Sequence, residues 1–469
     1  MLAGPVGAGQ LARELRALVE AARLRARSLG RPVVAAHTRI EAAAADPLEL
    51  LASAELTGER RFFAARPAQS FALAAIGCAR AETFHGPYAV ARARARWDQL
   101  LGEAVVDAPD GLAQAAGPLA VGGIAFEARA ELHRAPEWSA FGSASFALPE
   151  LSVVRRAGAS FVTRAALVAP DADVERLIER WRSLCSQTGR RPTALAARTT
   201  LPTPSLAYRD AVSEVIAAIG RGEADKVVLA TAETHERAGL HSAASSLAAL
   251  LEAHPGCLTF AQGLGRSTFL GSSPERLVRC TGRRVESWAV AGTAPRGQTA
   301  GETESLASAL RGSEKEQAEH AFVVREIYHA LDEMCDELEA APAPEPLYTG
   351  TLQHLYTRIA GVLREPMHAL DLVAALHPTP ALCGAPRARA LELIRKHEPF
   401  DCGWYGGPIG WFDASGSGDF FVALRCALLE GDRATLYAGS GIVGASRPER
   451  EAAETALKLR AMREALGLP

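Results

Sequence analysis

Short apolar runs recur along the chain and predict buried strands, because their ends are set by glycine, proline or charged residues. In the first half they include QSFALAAIG (69–77) and GPLAVGGIAF (117–126). The stretch LSVVRRAGASFVTRAALV (151–168) predicts a hairpin that turns near Gly158. In the second half the predicted strands are KVVLAT, GCLTFAQGL, STFLGSS, RVESWAVAGT, GPIGWFDA, GDFFVALRCALL and ATLYAGS.

Other segments carry apolar residues three and four positions apart, the spacing of an amphipathic helix. They are GQLARELRALVEAARLRARSLG (9–30), DADVERLIERWRSLCSQTG (171–189), ending at Gly189, and a segment at 208–220. A long helix is also predicted from about Ser313 to the proline-rich APAPEPL. Hairpins with interspersed helices predict an α+β fold in which the sheet is mostly antiparallel.

The connector RTTLPTPSLAYRD (198–210) separates two parts of the chain. We expect residues 1–200 to form the N-terminal part of the α+β fold and residues 205–469 to form its second part.

Composition narrows the class of protein. The 469 residues are 48% hydrophobic and 22% charged, as in ordinary globular proteins. A net charge of -3 without a basic run argues against nucleic-acid binding. The eight cysteines form no C-x-x-C pair and indicate reduced, mostly buried thiols. With no apolar run long enough for a membrane span, we expect a cytoplasmic protein that does not bind membranes.

A glycine motif near the C-terminus raises a specific question. Gly439, Gly441 and Gly444 have the spacing G-x-G-x-x-G, between a predicted strand and a predicted helix. A dinucleotide-binding fingerprint needs a further strand and an acidic residue about 20 residues on. The sequence ends at Pro469, so we expect these glycines to form a turn that offers backbone N–H groups to another anion.

Four glutamates form two pairs with helical i,i+3 spacing, Glu316 with Glu319 and Glu451 with Glu454. A Ser-x-x-Glu capping box is predicted at the start of each helix, Ser313 with Glu316 and Ser446 with Glu449. Convergence of the two helices would create a carboxylate site for Mg²⁺, a hard cation that prefers oxygen ligands. A solvated helix face is the alternative for the three glutamates that capping does not explain.

The second half of the chain resembles the chorismate-utilising enzymes over residues 205–469. The motifs that carry this resemblance occur in one order: DKVVLAT, GSSPERLV, AVAGTAPRG, SEKEQAEH, LQHLYTRIAG, LHPTPALCGAPR, WYGGPIGWFDASGSGDFFVALRCALL and YAGSGIVGASRPEREAAETALKL. GPLAVGGIAF and EWSAFGSASFALPEL extend it more weakly into the first half. Among the branches of the family, these motifs are most similar to isochorismate synthases, and the N-terminal pieces to the menaquinone-pathway type.

The resemblance implies one large α+β domain in which two large antiparallel sheets pack face to face with helices outside, and residues 205–469 form the chorismate-binding catalytic part. It also implies chorismate as substrate and Mg²⁺ dependence. Because the family's sites lie within one chain, a monomer is expected. It implies a hydroxymutase, an isomerase that adds water at C2 of the ring while the C4 hydroxyl leaves. The product would serve menaquinone or siderophore biosynthesis. A salicylate synthase, which then eliminates pyruvate in the same pocket, is the alternative within the family. A binding module without activity and a dehydrogenase using the glycine motif are the alternatives outside it.

The resemblance also implies two catalytic residues. Lys226 matches the general base for water, and a base must be neutral for part of the time. Glu275 matches the general acid, which requires a raised pKa. The structural alternatives are a lysine at a strand edge and a turn glutamate paired with Arg276.

The remaining site residues follow from the same resemblance. Glu319 and Glu454 match direct Mg²⁺ ligands, and Glu316 and Glu451 match ligands acting through water. The other matches are contacts to the substrate or positions close to the ring: Tyr405, Arg425, Gly439, Gly441, Thr293, His354, Ala291 and Lys458. Ala291 stands where aminodeoxychorismate synthases carry a lysine. A structural ion pair is the alternative for Arg425, a core histidine for His354, and a simple i,i+4 pair for Lys458.

Overall fold

The computed structural model describes residues 8–112, 115–128, 135–186, 206–237 and 239–468. Two large β-sheets pack face to face, and helices cover their outer surfaces. The predicted α+β class and the arrangement of facing antiparallel sheets are therefore confirmed. The predicted helix end at Gly189 and residues 198–205 of the predicted connector lie outside the described residues.

The first sheet has twelve described strands, and both halves of the chain contribute to it. Its strands pair antiparallel except for one parallel pair, β1 with β5. In spatial order they are β18 (Gly384–Ala385), β10 (Lys226–Glu236), β22 (Arg433–Ile442), β21 (Cys426–Glu430), β12 (Ser267–Ser273), β11 (Leu258–Leu264), β2 (Arg61–Arg66), β3 (Phe71–Ile76), β8 (Leu151–Arg156), β9 (Ala159–Val168), β1 (Val33–Ile40) and β5 (Val105–Asp107).

The second sheet has ten described strands, which again come from both halves of the chain. In spatial order they are β15 (Cys335–Ala340), β17 (Leu352–Leu363), β14 (Arg284–Pro295), β13 (Arg276–Thr281), β20 (Gly418–Val422), β19 (Pro408–Asp413), β6 (Leu119–Ile124), β7 (Ala144–Leu148) and β4 (Arg80–Phe84), with β16 (Glu345–Thr349) pairing on β17.

The helices pack on the outer faces of these sheets. In chain order the described ones are α1 (Ala8–Leu29), α2 (Pro47–Thr57), α3 (Ala89–Gly102), α4 (Val174–Ser186), α5 (Leu206–Gly220), α6 (Ala243–Ala253), α7 (Ala300–Gly312), α8 (Glu314–Asp332), α9 (Ala369–Leu376), α10 (Arg387–His397) and α11 (Pro448–Leu466). Short 3₁₀ turns span Pro67–Gln69 and Pro136–Trp138. Within the described residues, no helix combines the length and the apolar character needed to cross a membrane.

The space between the sheets is filled mainly by aromatic side chains. Phe260 and Phe269 from the first sheet pack with Trp411 and Phe421 from the second. Trp404, which precedes β19, packs with them. Separate apolar clusters join α2, α6 and α11 to the outer face of the first sheet, and α3, α8 and α9 to the second. Burial of this apolar surface is the main force that holds the layers together.

Two of the places where the chain passes from one sheet to the other lie next to each other. Strand β12 of the first sheet is followed by Pro274, Glu275 and then β13 of the second. The predicted single strand GDFFVALRCALL is instead two strands in different sheets, β20 and β21, and Arg425 with φ +47° lies between them. The two crossovers are hydrogen-bonded to each other, Val422 N to Glu275 O at 3.0 Å and Ser272 N to Arg425 O at 3.1 Å.

Two predicted helix starts have different outcomes. Ser313 caps α8, since its hydroxyl accepts a hydrogen bond from Glu316 N at 3.4 Å. The capping box at Ser446 is wrong, because α11 begins with Pro448 after Arg447. Proline is favourable at this first position, where its missing N–H costs no helical hydrogen bond.

Candidate active site

A cavity of about 150 Å³ opens where the two crossovers meet the N-terminal ends of α8 and α11. The predicted site residues line it, with the exception of Lys226. The lining residues that were predicted are Glu275, Ala291, Thr293, Glu316, Glu319, His354, Tyr405, Arg425, Gly439, Gly441, Glu451, Glu454 and Lys458. Residues far apart in sequence are thus gathered around one enclosed space.

Lys226 lies immediately behind the cavity wall. It is the first residue of β10, its side chain is 8% exposed, and its ammonium donates a hydrogen bond to Glu319 Oε1 at 2.6 Å. The alternative of a strand-edge lysine whose ammonium reaches solvent is therefore wrong. Burial opposes ionisation of Glu319, but the charge and hydrogen bond of Lys226 outweigh it and lower the pKa of Glu319.

Glu275 is a buried carboxyl at the first crossover. It is 4% exposed, and burial raises its pKa to about 8, although the nearby charge of Lys226 acts in the opposite direction. It does not pair with Arg276, whose guanidinium binds Asp419 and Glu286. At neutral pH Glu275 is therefore largely protonated, the state that a general acid requires.

Arg425, at the second crossover, is buried without a carboxylate partner among the described residues. Its Nη1 donates to Thr349 O at 3.4 Å, and its Nη2 lies 2.5 Å from His354 Nε2. A structural ion pair is thus not present in this part of the chain. Because a buried guanidinium facing only neutral acceptors is costly, an anionic ligand would stabilise this arrangement.

His354 holds Arg425 in place. Arginine can only donate, so His354 Nε2 accepts and the ring proton lies on Nδ1, which donates to Gly292 O at 3.1 Å. Thr293 Oγ1 lies 3.2 Å from the same nitrogen. Burial and the charge of Arg425 lower the pKa of His354 well below its ordinary value, so the ring is neutral. A β-bulge beside Gly292, whose φ is +73°, directs these groups toward the cavity.

Gly439 and Gly441 lie in strand β22 and do not form the predicted turn at a helix start. They are required for space. A Cβ at Gly439 would lie 2.9 Å from Tyr405 Oη, and one at Gly441 would lie 2.9 Å from Lys226 Cε. The absence of side chains therefore lets Tyr405 and Lys226 approach the strand.

The acidic end of the cavity contains Glu316 and Glu319 from α8 and Glu451 and Glu454 from α11, as the i,i+3 spacing predicted. The hydroxyls of Ser440 and Ser446 bond Glu451. Burial, and next the charge of Glu319, raises the pKa of Glu316. Burial also raises the pKa of Glu451, with a further contribution from Glu454.

The i,i+4 pair of Lys458 is present, since its ammonium lies 2.7 Å from Glu454 and also donates to Gly439 O at 2.8 Å. Its contact to the substrate stays a prediction. Across the described residues, no three His, Cys, Asp or Glu side chains are already arranged as a metal cluster. The donor set nevertheless fits Mg²⁺, because four carboxylate groups face one cavity, and burial together with neighbouring carboxylates raises the pKa of two of them, Glu316 and Glu451. Two carboxylates are held by lysines here, so a cation would replace those lysines as partner.

Several lining residues escaped the sequence analysis. Lys315 adds a positive charge 3.7 Å from Glu316, and its position within SEKEQ was the available signal. Tyr437 stacks on Tyr405 with ring centroids 5.7 Å apart. Ser440 joins Tyr208 to the site through a hydrogen bond of 2.8 Å. Aromatic and hydroxyl residues inside an apolar strand gave no pattern by which to identify the last two.

A buried acid, a nearby lysine and an unpaired arginine between two facing sheets define an enzyme site for a small anionic substrate. A sequence model of the family described as chorismate binding enzyme matches residues 20–467. The chain belongs to this family, so the predicted resemblance is confirmed and chorismate is its substrate class.

Individual relatives extend this result. The chain is 36% identical over 459 residues to the salicylate biosynthesis isochorismate synthase of Pseudomonas aeruginosa, covering 96% of this chain and 94% of that protein. It is 35% identical over 359 residues to the isochorismate synthase MenF of Bacillus subtilis, covering 75% of each. The solved structure of the menaquinone-specific isochorismate synthase MenF from Escherichia coli superposes with a TM-score of 0.79 at 26% identity, covering 96% of this chain and 99% of that one.

Proposed function

We propose that this chain is a Mg²⁺-dependent isochorismate synthase, which converts chorismate to isochorismate. One observation carries the proposal. Buried, protonated Glu275 and buried Arg425, which has no carboxylate partner among the described residues, lie on two crossovers that are hydrogen-bonded to each other. The names of the relatives support the same reaction, since isochorismate synthase is common to them.

Substrate binding is assigned to the cationic end of the cavity. The guanidinium of Arg425 binds the enolpyruvyl carboxylate, with its orientation set by His354. Tyr405, stacked on Tyr437, forms the neighbouring wall. The other carboxylate of chorismate, on the ring, then faces the acidic end, where it needs a cation as partner.

Proton transfer is assigned to Lys226 and Glu275. Glu275 donates its proton to the departing C4 hydroxyl, while Lys226 removes a proton from the water that attacks C2. Lys226 can accept a proton only as the neutral amine, which no longer forms an ion pair with Glu319. Occupation of Glu319 by a different cation fits that requirement. Ala291 offers no amine, which fits water as nucleophile.

Mg²⁺ is assigned to the four glutamates, Glu319 and Glu454 directly and Glu316 and Glu451 through water. When bound, it would supply positive charge for the ring carboxylate and for the oxygen that leaves C4. The carboxylates of α8 and α11 face the same space without a full set of cationic partners, which supports this assignment.

The product distinguishes this proposal from its alternative. The pure protein should be incubated with chorismate and Mg²⁺, and the products separated by chromatography and identified by NMR. We expect isochorismate, the metabolite that menaquinone and siderophore routes share. Salicylate fluorescence as the main signal would instead favour the salicylate synthase, an alternative kept because one relative is named for salicylate biosynthesis. Binding of chorismate without any product would contradict both.

A further inference from the structure

A second cavity lies between the two sheets and shares no lining residue with the active-site cavity. Its volume is about 30 Å³. Strands β2, β3 and β8 of the first sheet and β13, β19 and β20 of the second provide its walls. The charged residues in these walls are four arginines and one aspartate: Arg66, Arg156, Arg276, Arg279 and Asp419.

Arg66 is the most unusual of these arginines. It is 8% exposed, and its Nε donates to Gly256 O at 2.8 Å. Its Nη1 is buried and has no hydrogen-bond partner. A buried donor of a charged group without an acceptor costs folding free energy, so such a group indicates a missing partner.

The carboxylates at the cavity are already bound by arginines. Asp419 accepts from Arg276 Nε at 2.9 Å and lies 3.8 Å from Arg279 Nε. Glu286, beside the cavity, binds Arg276 at 2.8 Å and Arg358 at 2.9 Å. Positive charge therefore exceeds negative charge around the cavity.

Arg66 and Arg276 also share one aromatic partner. The guanidinium carbon of each lies 4.4 Å from the centroid of the Trp288 ring. Burial, and next the charge of Arg276, lowers the pKa of Arg66 to about 10. Burial and the charge of Arg279 lower the pKa of Arg156 in the same way. A negative charge in the cavity would relieve this repulsion.

We propose that this cavity is a binding site for a small inorganic anion, with chloride as the ion to test. A volume of about 30 Å³ has room for only a few water-sized groups, so bulky organic anions are too large. The ion accepts the hydrogen bond of Arg66 Nη1 and joins arginines from both sheets. Its role is to stabilise the packing of the sheets, and it is independent of the proposed reaction.

Thermal unfolding measures this binding without reference to activity. The protein should be unfolded in a titration from sodium gluconate to sodium chloride at constant ionic strength. We expect the unfolding temperature to rise saturably with chloride by about 2–4 °C, because a ligand specific to the folded state stabilises it. Gluconate is too large for the cavity and serves as the reference anion.

Variants locate the effect. Arg66→Gln should abolish the rise, and Arg156→Gln, at a more exposed wall, should raise the half-maximal chloride concentration about tenfold by removing one charged partner. Arg155→Gln is the matched control, because the neighbouring Arg155 binds Asp46 at 2.7 Å and does not line the cavity. It should keep the wild-type response.

Crystals soaked in bromide provide a second measurement. An anomalous peak beside Arg66 Nη1 is expected in the wild type and in Arg155→Gln. An equal chloride response in wild type and Arg156→Gln, or no anomalous peak in the cavity, would overturn the proposal. Because the second variant and the soak use folded protein, the test remains decisive if Arg66→Gln fails to fold.

Discussion

The two ends of the active-site cavity differ in the sign of their charged residues and in how those residues are partnered. At one end, Arg425 is held by neutral partners, Thr349 O and His354, and can bind a carboxylate directly. At the other, four carboxylates face the cavity, and the two that are tightly paired use Lys226 and Lys458. The comparison teaches that the first end is complete as the chain folds, whereas the second has ion pairs that must be exchanged.

The largest expected effect is on the acidic end. Removal of divalent metal with EDTA should abolish turnover and Mg²⁺ should restore it, because the carboxylates would otherwise repel the ring carboxylate of the substrate. Glu319→Gln and Glu454→Gln should raise the Mg²⁺ concentration needed for half-maximal rate. Glu314 is exposed on α8, the helix that contains Glu319. Glu314→Gln is therefore the control and should behave as wild type. Full activity in EDTA would contradict the metal assignment.

Lys226 pairs with Glu319 of the acidic end and also lies near Glu275, and its loss should have the next largest effect. Lys226→Gln removes the proposed base but leaves Arg425 and Glu275 in place, so chorismate should still bind. Formation of isochorismate should fall by about 10²–10⁴-fold, the usual contribution of a general base. Steady-state kinetics and a binding titration measure the two quantities separately. Normal turnover would mean that water is activated by another group.

The cationic end should respond with a smaller effect of a different kind. Arg425→Lys keeps the charge but loses the planar fork, so kcat/KM should fall about 10–10²-fold, as expected for a lost charge-assisted hydrogen bond. The Mg²⁺ dependence should stay as in the wild type, which separates this end from the acidic one. An unchanged kcat/KM would show that Arg425 does not contact the substrate.

Glu275 should set the alkaline limb of the pH profile. Its pKa of about 8 means that the acid loses its proton as the pH rises through that value. Above it, kcat/KM should fall about tenfold per pH unit, since only the protonated form can donate. The measurement is kcat/KM between pH 6 and about 10. If kcat/KM of the wild type does not fall at alkaline pH, a different group is the acid.

The last prediction concerns stability, which Glu275→Gln should raise although it removes the proposed acid. The folded pKa of Glu275 lies above its ordinary value of 4.5, so folding retains a proton that the unfolded chain releases. Its contribution to stability is complete below about pH 4.5 and is lost as the pH rises to about 8. Glu275→Gln should remove this loss, raising the free energy of unfolding by a few kcal/mol at pH 8 relative to wild type. Urea unfolding at pH 5 and pH 8 provides the comparison, and an identical pH dependence in both proteins would contradict it.

The sequence predicted much of this site because helical spacing carries over directly to geometry. Glu316 and Glu319 face the cavity since α8 packs on β14, and Glu451 and Glu454 do so since α11 packs on β22. The resemblance of the ordered motifs then gave each of these residues a proposed role, which spacing alone could not do.

Other features depend on contacts that no local pattern records. The run GDFFVALRCALL is apolar on both sides of Arg425, so its periodicity does not reveal that it changes sheets. The pairing of Lys226 with Glu319 joins residues 93 positions apart. Gly439 and Gly441 of the G-x-G-x-x-G motif are explained by the close approach of Tyr405 and Lys226, a spatial cause that the spacing does not reveal.

The hydrogen-bonded crossovers have a consequence for how the site keeps its dimensions. Glu275 and Arg425 each lie where the chain leaves one sheet for the other, and two backbone hydrogen bonds join these segments. The distance between acid and arginine is therefore set by the spacing of the sheets and not by the conformation of a loop. A substitution deep in the aromatic layer, such as at Phe269, would act on catalysis as a change of that spacing, without touching the substrate.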